Sequence, residues 1–144
     1  MSVVLDSRLH AGAIKAAIDA ELGPIPGTTD TRVYDYDEVP GANGNTGEQP
    51  RIYVAISLER RFNPNLRASG RAGSTGWRLA ARANGNTVDE VRWALLKVAE
   101  ALDEVRLTIS GSRTTPIQFE AEIEAPKFDD GKFTAANSYI YAIH

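Results

Sequence analysis

The sequence predicts an α+β fold, a mainly antiparallel sheet packed by two helices and carrying one long hairpin loop. Two stretches repeat apolar residues at three- and four-residue steps, several others alternate apolar with polar residues, and glycine- or proline-rich punctuation separates them. The order is helix, strands, helix, strands. With 144 residues and no cysteine, the chain is long enough for a single domain over residues 1–144 whose core needs no disulfide support.

The first helix begins at a cap supplied by Asp6 or Ser7, because a short polar side chain can accept from the unpaired amides of the first turn. Leu9, Ala13, Ala16 and Ala17, together with Ile14, Ile18 and Leu22, keep the helical repeat until Gly23-Pro24 ends it. A short strand follows within TRVYDYDEV, and PGANGNTGEQP is irregular. From Arg51 to Phe62, Ile52, Val54, Ile56 and Leu58 take one face and Tyr53, Ala55, Ser57 and Glu59 the other, which is a strand. Its partner alternates Trp77, Leu79 and Ala81 with Arg78, Ala80 and Arg82.

The connection between these two strands, Asn63 to Gly76, is far longer than the two to five residues or so that a hairpin requires. Its glycines predict a segment that is mobile in an isolated subunit and orders on contact. Next, Thr87-Val88-Asp89-Glu90 forms a capping box, and Val88, Val91, Leu95, Val98 and Leu102 lay one apolar stripe along the second helix. Val105, Leu107 and Ile109 begin another strand. In PIQFEAEIEA, Ile117, Phe119, Ala121 and Ile123 alternate with Gln118, Glu120, Glu122 and Glu124, so the three glutamates are expected on one face. The turn Asp129-Asp130-Gly131 leads into a last strand, Phe133 to Ile143.

The formal charge of −3 hides a strong asymmetry. Residues 1–50 carry −5, residues 51–82 carry seven arginines against Glu59 for +6, and residues 83–144 carry −4. A basic island of this kind can meet nucleic acid or an acidic surface, and this chain makes acidic surface itself. No run of about eighteen apolar residues and no apolar leader is present, so neither a membrane span nor export is expected.

Reactive chemistry is poorly supported. GRAGSTG, Gly70 to Gly76, resembles a phosphate loop, but no buried strand precedes it, no helix follows it and no lysine-serine or lysine-threonine pair ends it. His10 and His144 stand in no ligand or base spacing and are expected at the surface. Asp35, Asp37 and Glu38, and likewise Asp129 and Asp130, read as acidic turns because neither group has the ligand count of a calcium loop. No nucleophile elbow or dinucleotide fingerprint occurs, so neither an enzyme nor a cofactor is expected. The groups best placed for assembly are Arg60, Arg61, Arg67, Arg71, Arg78 and Arg82, with Glu120, Glu122 and Glu124 as their opposites.

Taken in order, VYDYDEVPG, IYVAISLERRF, GWRLAARANGNTVDEVRWALLKVAEALDEVRL and PIQFEAEIEAP-x-x-DDG, followed by the aromatic last strand, make nearly the whole chain resemble tail terminator proteins of long-tailed, non-contractile bacteriophages, particularly those infecting actinobacteria. The resemblance implies a small α+β virion protein, assembled in the host cytoplasm, that forms a hexameric ring on the finished tail tube. It also implies two protein partners, the tail tube protein and the head-tail connector protein, with DNA passing through the ring's channel. Because tight phosphate binding would hinder that passage, most of the island's arginines are expected to face proteins or outer solvent, with no specific DNA affinity. The rival readings are another neck or tail-completion protein, a nucleic-acid-binding module built on the arginines, and a small enzyme using Asp35 or Asp37.

Overall fold

The computed structural model describes residues 5–61 and 75–143. Helix α1 spans Ser7–Leu22; Asp6 caps it by accepting from the Arg8 amide, and Gly23 ends it at φ 79°. Strands β1 (Val33–Asp35), β2 (Tyr53–Arg61) and β3 (Thr75–Gly85) precede helix α2 (Val88–Leu102). The tiny strands β4 (Thr108–Ile109) and β5 (Ser112–Arg113) pair only with each other, and β6 (Gln118–Asp129) and β7 (Lys132–Ile143) complete the chain. The main sheet runs β1-β2-β3-β7-β6, with β1 parallel to β2 and every other pair antiparallel. The predicted α+β class is therefore observed. Residues 63–74 of the predicted hairpin connection, and residue 62 at the end of the strand predicted before it, lie outside the described residues.

Both helices cover one face of this sheet. From β2 and β3, Val54, Ile56, Leu79 and Ala81 are buried with Tyr139, Tyr141 and Ile143 of β7. Over them lie Ile14, Ile18 and Leu22 of α1 and Val91, Ala94, Val98 and Leu102 of α2. Burying each Ile, Leu or Val side chain in full is worth roughly 1.5–3 kcal/mol, so this layer dominates stability. The α1 stripe is narrower than expected, since Leu9 stays 41% exposed while the inward row runs His10, Ile14, Ile18, Leu22.

The box at α2 forms as predicted: Thr87 Oγ1 accepts from the Glu90 amide, and the Glu90 carboxylate reaches back to the Asn86 amide. A methyl group at Gly85 would lie 2.8 Å from Glu90 Cβ, so glycine is what lets β3 turn directly into the helix.

Two expectations need correction. Val105 and Leu107 do not begin a strand of the sheet. The amide and hydroxyl of Thr114 satisfy the carbonyl and amide of Leu107, while Ser110 and Gly111 turn the chain at positive φ, leaving only a two-residue pairing. Nor is His10 a surface group. It is fully buried, shares a 2.7 Å hydrogen bond with the Tyr141 hydroxyl and lies 4.4 Å from the Trp77 ring. It occupies the helix row one turn before Ile14, and the sheet below supplies an aromatic and hydroxyl environment that accepts an imidazole.

Candidate functional site

The second face of the sheet carries no helix. On it, strand alternation and register align Ser57, Ala80, Ser138 and Ala121 in a row across β2, β3, β7 and β6. Rows of charge flank this line of small residues. Arg78 and Arg82 stand on the same face of β3, about 13 Å apart by the strand rise.

Arg78 holds Glu120 with both arms of its guanidinium, at 2.8 and 2.7 Å, and turns its third nitrogen to Glu59 at 3.3 Å. Ser138 donates to Glu120 as well, at 2.8 Å. These donors, Arg78 first and Ser138 second, hold the Glu120 carboxyl at a pKa of about 2, and the same carboxylates push the Arg78 guanidinium upward. In the second row Arg82 pairs with Glu124 at 2.5 Å and donates to Thr134. Lys127 also pairs with Glu124; Lys127 and then Arg82 lower that carboxyl's pKa.

Between and beside these rows lie shallow cavities. One of about 500 Å³ is bounded by Tyr36, Ala55, Ser57, Ala80 and Ile123, and one of about 540 Å³ by Ser57, Arg78, Ala80, Glu120 and Ser138. Tyr36 and Ile123, 64% and 56% exposed, wall the first. The face is thus a shallow trough in which Arg78 and Arg82 are balanced by carboxylates and Tyr36 and Ile123 form apolar walls.

The expected alignment of three glutamates does not occur. Strand β6 changes register between Phe119 and Ala121 and again between Glu122 and Glu124. Glu120 and Glu124 consequently reach the helix-free face, while Glu122 pairs in register with Asn137, on the face shared with Ala135 and Tyr139. Phe119 and Ile123 stay exposed although both belong to the apolar half of the alternation: Phe119 keeps its register with Tyr139 but lies on the edge strand, and Ile123 falls inside the second irregularity.

Arg60 and Arg61, at the end of β2, are exposed and form no ion pair among the described residues. Arg51 is tied to Glu90 at 2.7 Å, and Arg67 and Arg71 lie outside the described residues. Asp35 is engaged by Lys15 at 2.8 Å. Sequence reasoning missed Glu59 as a partner of Arg78 and Ser138 as a donor to Glu120. Their signal is only that each falls on the polar side of an alternating strand.

No family model matches the chain, and no curated protein matches it. A chain in the solved virion of a native gene transfer agent particle superposes with a TM-score of 0.63, at 15% identity over 92% of this chain and 92% of its own. The two share a fold. A second solved chain, 12% identical over 97% of this one and 96% of its own, superposes at 0.59. The superposition with the virion chain takes in nearly all of both chains, so it matches the whole arrangement of sheet and helices and not a common substructure alone.

Proposed function

We propose that the protein is a structural component of a virion of the phage type and, within that class, a tail terminator. It forms a closed homomeric ring, hexameric as the sequence resemblance implies, on the finished tail tube. There it stops addition of tube protein and offers the surface that meets the head-tail connector protein. The observation that carries this reading is the end-to-end likeness to a chain of a gene transfer agent virion. It acts as one domain over residues 1–144, in the tail or neck of the virion after assembly in the host cytoplasm, and without a reactive group.

The assembly residues named from sequence take two roles in this reading. Arg78, Arg82, Glu120 and Glu124 pair within the subunit and hold the helix-free face in shape, whereas Arg60, Arg61 and Glu122 are exposed and available to neighbours. Arg67 and Arg71 are assigned to neighbour contacts by charge alone. DNA crosses the ring without specific binding, a reading supported by the neutralisation of Arg78 and Arg82 on the sheet face by carboxylates.

Negative-stain imaging of tails assembled with and without the protein tests the assignment. Tubes of uniform length bearing a terminal ring are expected with it, and overlong tubes without it. Tails that stop normally in its absence would overturn the reading. Persistent binding to duplex DNA at physiological ionic strength, read by fluorescence anisotropy, would favour a nucleic-acid-binding module instead.

A further inference from the structure

The ion pairs on the helix-free face leave the two ends of the sheet with opposite unspent charge. At one end β2 stops at Arg60 and Arg61, and Arg61 lies on the rim of a cleft of about 250 Å³ with Thr115, Pro116, Gln118 and Ile140. At the other end the β6–β7 hairpin turns through Asp129, Asp130 and Gly131, with both aspartates exposed and in no ion pair among the described residues. Phe128 sits beside that tip, 65% exposed. One end thus offers cationic donors around a cleft floored by Pro116 and Ile140, and the other an acidic tip with an exposed aromatic ring.

We infer that these two ends are the halves of one contact between copies of this chain, the β6–β7 tip of each subunit seating in the Arg60–Arg61 cleft of the next. The occupant is a second copy because the complementary surface is on the same molecule. The contact is heterologous, as a ring requires, and a two-fold dimer does not use it. It rests on the ring reading above and supplies the residues that close the ring. The cleft has room for one inserted side chain and not for a helix, which fits a turn tip. Carboxylate on guanidinium gives the contact direction, and burial of Phe128 adds apolar area.

The chain has no cysteine, which makes cross-linking decisive. Arg61 pairs in register with Gly76 and Gly76 with Ala142, while Asp129 pairs with Lys132 at the far end of β7. The two sites are therefore roughly 30 Å apart in one subunit, and no disulfide can join them within a chain. The double variant Arg61→Cys/Asp129→Cys, oxidised at high protein concentration, is expected to give a ladder of disulfide-linked oligomers ending at a closed ring. Each single variant should give dimers at most. A double variant that stops at monomer or dimer overturns the contact.

Charge reversal is the second arm. Arg61→Glu should weaken self-association in light scattering, and adding Asp129→Arg should restore it; failure of that restoration also overturns the contact. A ladder without rings on tails would sink the terminator reading and leave the contact standing, whereas rings on tails without a ladder would do the reverse.

Discussion

The two faces of the sheet are built on opposite principles. The helix-covered face is held by apolar burial, with Ile56, Leu79 and Tyr139 essentially inaccessible, and its cohesion does not depend on direction. The helix-free face is held by directed pairs, Arg78 with Glu120 and Glu59, and Arg82 with Glu124, over a floor of alanine and serine. The difference teaches where free energy and where shape reside. The first face stabilises the chain. The second keeps long side chains in fixed positions around a shallow trough at small net gain, because water and side-chain entropy offset most of the attraction in an exposed ion pair.

Leu79→Ala should sharpen that contrast most, costing about 2–5 kcal/mol in urea unfolding, since the cavity is sealed between two helices and the sheet. A cost under about 1 kcal/mol would mean that the covered face is loosely packed. Tyr141→Phe should cost about 1–3 kcal/mol, because it removes the hydroxyl that faces His10 inside the same layer. Burial raises the Tyr141 pKa, so the hydroxyl itself stays protonated through the neutral range.

On the other face the expected effect is smaller and depends on pH. The Glu120 carboxyl is held at about 2 in the fold against an ordinary 4.5. A depressed carboxylate contributes stability that is present above pH 4.5 and lost as pH falls from there toward 2. Wild type should therefore exceed Glu120→Gln in stability at pH 6, with the gap closing in acid. A gap that persists unchanged at pH 2.5 would show that the pair contributes through packing alone. Smallest of all, Arg60→Ala and Arg61→Ala should each leave the isolated subunit's stability within about 0.5 kcal/mol, since neither arginine is paired among the described residues. A larger loss would place them in the fold and not at a contact.

Much of the fold was legible because local physics and tertiary packing agree. The Thr87 box, the Asp6 cap, the alternation of β2 and β3 and the Asp130-Gly131 turn each depend on residues within a few positions of one another. Period-two and period-3.6 patterns survive folding when one face is buried throughout, as on both helices and the central strands. Beyond that range the sequence was silent or misleading. Glu120, Glu122 and Glu124 look equivalent in a strict alternation, yet irregular pairing with β7 sends Glu122 to the other face, because a slip of one residue reverses every side chain after it. His10 reads as a surface histidine until Tyr141, 131 positions away, is folded against it.

The seven arginines of the island were countable from the first, and so was the acidic character of their flanks. Which of them remain free for a partner was decided only by register: β7 sits between β3 and β6, and the register shifts in β6 leave Glu120 and Glu124 on the face of Arg78 and Arg82 while turning Glu122 away. Composition and periodicity alone determined the helices, most strands and the charge asymmetry, since those are properties of neighbours in sequence. Tertiary structure decided which charges cancel, since a salt bridge needs about 4 Å in space and sets no limit on separation along the chain.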